Sequence, residues 1–217
     1  MDPVIKLIEC PRDAMQGWKE FIPTEQKIRY LNALLKVGFD TLDFGSFVSP
    51  KIIPQLKDTR DVLPKLELSG SRTKLLAIVA NARGALDAAA FDEISFLGFP
   101  FSVSEEFQKR NTNSSITESL ATVEEIFNIC ANHKKQLVIY ISMGFGNPYG
   151  EEWNPEIVIH WVSKLTGMGI KIIALSDTIG VSNPENISLL FSRLIPEMKG
   201  VEIGAHLHSN PATWKEK

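Results

Sequence analysis

Seven short runs of apolar, often β-branched residues recur along the 217-residue chain, and this repeat constrains the fold more than any other feature. Most of the runs are continuously apolar rather than alternating, which is typical of strands that are buried on both faces of a parallel sheet. The predicted strands are residues 5–9, 39–44, 75–79, 93–97, 137–143, 170–175 and 201–206.

Four segments with a helical period lie between these runs. They place apolar side chains three and four residues apart, which predicts helices with one buried face. Thr24 is the predicted N-cap of the first helix, and Ser115 with Glu118 has the spacing of a capping box. The predicted helices are residues 24–37, 115–131, 155–168 and 183–198.

Strand and helix alternate along the chain, which predicts repeated βα units around a parallel sheet. Seven units exceed the six strands of a dinucleotide-binding sheet, and the turn after the first strand, residues 10–17, lacks the glycine pattern of that fold. We therefore expect an α/β protein with an incomplete (β/α)8 TIM barrel, in which about seven βα units are present and the last is missing. Because an open barrel leaves two sheet edges exposed, we expect residues 1–217 to be a single TIM-barrel catalytic domain truncated at its C-terminal end.

Composition argues against several classes of protein. The net charge of −3 gives no basic excess for a phosphate backbone, so we expect no nucleic-acid partner. The longest apolar runs are about eight residues, which is too short to cross a bilayer, so we expect no membrane association. Two cysteines far apart in sequence, and an N-terminus without a signal-peptide pattern, predict a cytoplasmic protein.

Polar residues follow most of the predicted strands. In a TIM barrel the active site lies at the carboxyl ends of the strands, so these residues are the candidates for function. In chain order they are Arg12, Asp13, Gln16, Asp43, Ser46, Asn111, Tyr149, Asp177, Thr178, His206 and His208.

The pair His206-x-His208 lies on the seventh predicted strand. Alternate residues on a strand share a face, so both imidazoles can reach one ion, although two surface histidines at a strand end would show the same spacing. Asp13 follows the first strand, and closure of a barrel would bring it across to the seventh. Two imidazoles and a carboxylate with open coordination positions suit a divalent cation that also binds substrate.

Arg12 and Asp177 each have a structural and a functional interpretation. An arginine at the end of a core strand is costly to bury unless it is paired. Arg12 therefore either forms an ion pair with Asp43 or Asp177, or stabilises a developing oxyanion beside a metal. Asp177 is either a substrate contact or the N-cap of the next helix. Trp161, on the apolar stripe of the third helix, is predicted to be a core residue.

Five motifs in this order resemble the 3-hydroxy-3-methylglutaryl-CoA lyase family of the DRE-TIM metallolyase superfamily. The resemblance extends from residue 5 to about residue 210, and the spacing between motifs favours the lyase branch over the related synthases and aldolases. The motifs are Pro11-Arg12-Asp13-x-x-Gln16, SFVSPK at residues 46–51, NPYG at residues 147–150, SDTIG at residues 176–180, and His206-x-His208.

This resemblance implies a role for each candidate. Asp13, His206 and His208 would bind Mg2+ or Mn2+, with Asp13 or His206 as the base. Arg12 would stabilise the enolate of acetyl-CoA, and Asp43 would belong to the catalytic group. Asn111 falls where the family contacts acyl-CoA, beside the basic pair Lys109 and Arg110. The predicted substrate-binding residues are Gln16, Ser46, Asn111, Tyr149, Asp177 and Thr178.

The implied function is cleavage of 3-hydroxy-3-methylglutaryl-CoA into acetyl-CoA and acetoacetate. The chain departs from the family pattern at Asp43, where the family has Glu, and at Cys10, where it has Gly. The family's cysteine-bearing loop and an Asn metal ligand would come after Lys217. The alternatives are a related aldolase or acyl-CoA condensing synthase, or a catalytically inactive CoA-binding homologue. The sequence leaves a homodimer open.

Overall fold

The computed structural model describes residues 5–217, and in this part of the chain seven strands occur at the seven predicted places. Their bounds differ from the predicted ones by a few residues, and β4 is several residues longer than predicted. The strands are β1 (Ile8–Glu9), β2 (Thr41–Ser46), β3 (Lys74–Ile78), β4 (Ile94–Ser102), β5 (Gln136–Ser142), β6 (Ile172–Asp177) and β7 (Glu202–Leu207).

Helices lie between the strands and include the four that were predicted. Two further single turns are 3-10 helices at Pro54–Leu56 and Leu63–Lys65. The α-helices are α1 (Pro11–Gln16), α2 (Thr24–Leu35), α3 (Thr59–Val62), α4 (Ala82–Ala89), α5 (Glu105–Thr112), α6 (Ile116–Asn132), α7 (Pro155–Gly167) and α8 (Pro184–Glu197).

Strand order follows sequence order from β1 to β7. The pairs β1–β2, β2–β3, β3–β4, β5–β6 and β6–β7 are parallel, as repeated βα units require. The chain divides into two compact units. The first holds the described residues up to Gly98 together with Asn128–Gln136, and the second holds Phe99–Phe127 and Leu137–Lys217. The prediction of one domain over residues 1–217 stays a prediction.

The core of the first unit is centred on β2, all six residues of which are buried. This burial matches the continuous apolar pattern of the sequence. The pairing with β3 shifts register between Asp43 and Gly45, and such irregularities re-aim side chains near functional sites. A Cβ on Gly45 would lie 2.5 Å from Cγ2 of Thr59, so glycine is required where α3 packs on the strand.

The core of the second unit forms around β5 and β6. Helix α7 buries Val158, Val162 and Leu165 against it and is capped by Asn154, whose side chain accepts from the Ile157 amide at 3.0 Å. Trp161 is only half-buried, so its prediction as a core residue is wrong. It lies at the edge of the apolar stripe, where its ring packs on Phe101 with centroids 5.5 Å apart.

Two predicted helix starts have different outcomes. The capping box before α6 is confirmed: Ser115 Oγ accepts from the Glu118 amide at 3.1 Å, and the Glu118 carboxylate accepts from the Ser115 amide at 2.7 Å. Thr24 is not an N-cap. The cap position is Pro23, and the Thr24 hydroxyl donates to Asp58 at 2.8 Å, because a tertiary partner is available to it. No helix among residues 5–217 combines the length and the apolar character that a bilayer crossing requires.

Candidate active site

In the first unit, Arg12 and Asp43 form a buried ion pair just beyond the end of β1. Arg12 stands in the first turn of α1, a helix that the sequence analysis took for a turn. Nε donates to the two Asp43 oxygens at 3.0 and 3.2 Å, and Nη2 donates to Oδ2 at 2.6 Å. The side chains are 10% and 0% exposed. The structure therefore contains the ion pair that was one of the two interpretations of Arg12.

The same guanidinium also orients Asp13 and Gln16. Nη1 donates to Asp13 Oδ1 at 3.0 Å and to Gln16 Oε1 at 3.0 Å. One turn of α1 places residues 12 and 16 on the same face, which explains the second contact. Asp13 is half-buried and Gln16 is exposed. Three residues predicted from the sequence are thus joined to Arg12 in one hydrogen-bonded network.

Cys10 precedes this network and is not a reactive thiol. Burial raises its pKa to about 12, and the charge of Asp43 adds to the rise. A thiol protonated at neutral pH is a poor nucleophile and a poor metal ligand. The position therefore supports a packing role for Cys10.

Ser46 ends β2 and borders a cavity of about 320 Å³ in the first unit. Its hydroxyl accepts from the Val48 amide at 3.1 Å and its own amide donates to Thr59 Oγ1 at 3.1 Å, so the residue fixes the start of the SFVSPK loop. Lys57, Arg60 and Arg83 also line the cavity.

In the second unit, His206 and His208 bring their imidazoles to the same side of β7, as the strand spacing predicted. The two Nε2 atoms are 3.2 Å apart, and the His206 ring meets the edge of Tyr140 with centroids 5.7 Å apart. Both histidines are half-buried. Two ring nitrogens at this separation are suited to a shared ligand or ion.

The tautomer of His208 follows from its partner. Nδ1 lies 3.1 Å from the carbonyl oxygen of Thr178, and a carbonyl only accepts, so Nδ1 carries the proton. In the neutral ring this places the lone pair on Nε2, the atom that faces His206. A backbone carbonyl on the other ring nitrogen is the usual support of a metal-binding histidine, so this donor set fits a divalent cation.

Asp177 is the anchor of the loop that follows β6. Oδ1 accepts from the amides of Val181 and Ser182 at 2.8 and 3.1 Å. Oδ2 accepts from the Ser182 hydroxyl and from Lys217 Nζ, both at 2.6 Å. Burial alone would raise the pKa of Asp177, but these hydrogen bonds outweigh it and the pKa is lowered.

The prediction of Asp177 as the next N-cap is wrong, because Asn183 caps α8. The Asn183 side chain accepts from the Asn186 amide at 2.9 Å, and Asn186 reciprocates at the same distance. Thr178, beside Asp177, accepts from the Met143 amide through its hydroxyl at 2.8 Å, which joins the loops after β5 and β6.

Asn111 and Tyr149 lie in the second unit on the elements after β4 and β5. The stretch predicted as a loop, residues 98–114, instead contains the end of β4 and helix α5, because Ser104 caps a helix there. Asn111 is exposed in the last turn of α5. Arg110 lies over the Tyr149 ring at 5.0 Å and pairs with Glu106 at 2.6 Å, so its charge is already compensated.

Sequence analysis missed Lys217, whose ammonium group reaches Asp177, Gly180 and His208. No sequence signal marks this contact, since it joins positions 40 residues apart. The three predicted metal ligands are half-buried and each offers one ligand atom; Asp13 belongs to the first unit, and His206 and His208 belong to the second.

Comparison with known proteins supplies a family for this arrangement. A family model described as HMGL-like matches residues 5–213. The chain is 32% identical over 206 residues to the cytoplasmic 3-hydroxy-3-methylglutaryl-CoA lyase of Homo sapiens, covering 94% of this chain and 55% of the human protein. Across four such relatives, the chain spans 55 to 67% of their length.

Solved structures agree with the sequence matches. The HMG-CoA lyase of Bacillus subtilis superposes with a TM-score of 0.88 at 31% identity, over 96% of this chain and 70% of that one. An HMG-CoA lyase of Acinetobacter baumannii, in complex with coenzyme A and 3-methylmalate, gives a TM-score of 0.89 at 27% identity, over 97% and 68%. The predicted fold class, an α/β protein with an incomplete (β/α)8 barrel, is confirmed.

Proposed function

Because the chain belongs to the HMGL-like family, we propose that it acts as a divalent-metal-dependent carbon–carbon lyase on 3-hydroxy-3-methylglutaryl-CoA, releasing acetyl-CoA and acetoacetate. The observation that carries this proposal is the imidazole pair His206 and His208, with Nε2 atoms 3.2 Å apart and with His208 Nδ1 held by the Thr178 carbonyl. The substrate class is supported by relatives that are HMG-CoA lyases and by the coenzyme A bound to the Acinetobacter relative.

We propose Asp13, His206 and His208 as the metal ligands, with Mg2+ or Mn2+ as the ion. One carboxylate oxygen and two imidazole nitrogens leave coordination positions for substrate oxygens. A bound divalent cation would lower the pKa of the substrate's tertiary hydroxyl and polarise its carbonyl group. His208 is held by Thr178 and serves as ligand only, whereas Asp13 and His206 are the two candidates for the base.

The residues of this chain would divide the reaction as follows. The hydroxyl proton passes to a carboxylate oxygen of Asp13 or to His206. The C–C bond beta to the thioester breaks, the hydroxyl carbon becomes the ketone of acetoacetate, and the bonding electrons enter a thioester enolate. Arg12 stabilises the enolate oxygen, since a preorganised guanidinium lowers the energy of a developing oxyanion. A proton delivered to the enolate carbon then gives acetyl-CoA.

Asp43 fits a positioning role better than a direct one. It is fully buried, and three N–H···O contacts attach it to Arg12. A guanidinium fixed in this way pays less entropy when it meets the enolate. We therefore propose that Asp43 acts on the reaction through Arg12, and that Gln16, Ser46, Asn111, Tyr149 and Thr178 remain predicted substrate contacts.

A second candidate is an inactive CoA-binding homologue, which is favoured by one observation: the chain spans 55 to 67% of the length of its curated relatives. An aldolase or acyl-CoA condensing synthase of the same superfamily is separated by adding acetyl-CoA and a 2-oxo acid and assaying for the thiol of released coenzyme A. Cytoplasmic location and a homodimer stay predictions.

The direct test is acetoacetate formation from 3-hydroxy-3-methylglutaryl-CoA with Mn2+ or Mg2+ added. We expect turnover that requires the metal and is abolished in His206→Ala. The matched control is His160→Ala, which removes an exposed imidazole on α7 and should leave turnover unchanged. Wild-type protein that binds coenzyme A yet forms no acetoacetate would favour the inactive homologue instead.

A further inference from the structure

Lys217 is buried beside the end of β6, where its ammonium group uses all of its protons. Nζ donates to Asp177 Oδ2 at 2.6 Å, to the His208 carbonyl oxygen at 2.8 Å and to the Gly180 carbonyl oxygen at 3.0 Å. An ammonium has three donors and no acceptor, so this set is complete. The side chains of Lys217 and Asp177 are 5% and 0% exposed.

Asp177 has no hydrogen-bonding capacity left for a substrate. Each of its oxygens already accepts two hydrogen bonds, from Val181, from Ser182 twice, and from Lys217. The carboxylate closes the loop after β6 onto its own first residue. Any influence that Asp177 has on the reaction therefore passes through the loop and through Lys217.

His208 is held at two points by this loop. Thr178, the residue after Asp177, accepts from the imidazole Nδ1 at 3.1 Å, while Lys217 donates to the His208 main-chain carbonyl at 2.8 Å. The first contact fixes the ring and its tautomer, and the second fixes the backbone on which the ring stands. Both contacts originate from groups that are tied to the Asp177 carboxylate.

We propose that Lys217 and Asp177 are positioning residues that set the location and orientation of the His208 imidazole, and with it the affinity of the site for its divalent ion. This inference rests on the metal-ligand role proposed above for His208. Groups that orient a metal ligand contribute roughly 10–100-fold to metal affinity. Lys217 would contribute at the lower end of this range, since it acts on the backbone of the ligand.

Lys27 provides a matched control for the loss of a buried lysine. It pairs with Asp58 at 2.7 Å, it also donates to the Gln55 carbonyl, and the Lys27 and Asp58 side chains are 2% and 6% exposed. This pair lies in the first unit, and its contacts among the described residues do not involve a proposed metal ligand. Breaking either buried pair destabilises a protein by about 3–5 kcal/mol, so stability alone does not separate the two sites.

The experiment compares Lys217→Met and Lys217→Gln with Lys27→Met. Mn2+ affinity is measured by calorimetry at a temperature where circular dichroism shows each variant to be folded. Lys217→Gln retains a hydrogen-bond donor and guards against a variant that does not fold. We expect Mn2+ affinity to fall about 10-fold in the Lys217 variants and to stay near the wild-type value in Lys27→Met.

A second readout needs no metal. The Nδ1 proton of His208, held by the Thr178 carbonyl, gives a low-field proton resonance that should broaden or vanish in the Lys217 variants and persist in Lys27→Met. Unchanged Mn2+ affinity with an unchanged resonance in both Lys217 variants would overturn the inference. If the wild type binds no Mn2+, the proposed metal site fails, and the resonance alone then decides whether Lys217 positions His208.

Discussion

Replacing Arg12 by lysine separates the ion-pair role of this residue from its proposed catalytic role. The guanidinium donates to Asp43 through Nε and Nη2, and to Asp13 and Gln16 through Nη1. Lysine carries its three protons on one nitrogen and lacks the planar fork, so it cannot reach all three acceptors at once. Arg12→Lys keeps the positive charge but loses most of this geometry.

The size of the effect follows from the contacts that are lost. Hydrogen bonds to charged groups contribute roughly 1.5–3 kcal/mol each, so the loss of one or two at the fully buried Asp43 lowers the free energy of unfolding by about 2–5 kcal/mol. Removal of an oxyanion donor is a separate effect and slows turnover by about 10²–10³-fold. The two effects are independent, because the first concerns the folded ground state and the second the transition state.

Urea unfolding and turnover per folded molecule measure the two effects. Arg60→Lys is the matched control, since Arg60 pairs with Asp87 at 2.6 Å while both side chains are about half exposed, and such pairs contribute roughly 0–1 kcal/mol. A turnover of Arg12→Lys within a few-fold of the wild type would refute the enolate role. An unfolding free energy equal to that of the wild type would refute the estimate for the buried pair.

Three further predictions concern stability. The lowered pKa of Asp177 means that its contribution to stability is present above its ordinary value of 3.8 and is lost as the pH falls through the lowered pKa, so urea midpoints should fall in acid for the wild type and much less for Asp177→Asn. Gly45→Ala should cost about 1–3 kcal/mol, because its Cβ would lie 2.5 Å from Thr59 Cγ2, and Thr59→Ser should recover part of the loss. Trp161→Ala, at a half-buried position, should destabilise the protein less than the roughly 2–5 kcal/mol of Leu165→Ala at a fully buried one; thermal melts of both variants would contradict this if the order were reversed.

The sequence predicted the fold well where a periodic pattern determines the element. Buried strands such as β2 and β5 are continuous apolar runs, and helices such as α6 and α7 announce themselves by caps and an apolar stripe. Helix α1 was missed because its six residues carry three polar side chains and start at a proline, a pattern that also describes a turn. Short helices of this kind are stabilised by tertiary contacts, here the Arg12–Asp43 pair.

Local spacing also predicted part of the candidate site. The side shared by His206 and His208 follows from strand geometry, and the hydrogen bond between Arg12 and Gln16 follows from one helical turn. The partners of Asp177 and Lys217 could not be predicted, since which buried carboxylate meets which lysine depends on how distant loops pack. The sequence likewise identified Arg12 as paired without deciding between its possible acids.

The central claim is that His206 and His208 serve one divalent ion, and a calorimetric Mn2+ titration tests it most directly. The wild type, His206→Ala, His208→Ala and His160→Ala are titrated under the same conditions. We predict one Mn2+ per wild-type chain, unchanged affinity in His160→Ala, and a large loss of affinity in each of the other two variants. Equal Mn2+ affinity in the wild type and His206→Ala would contradict the account.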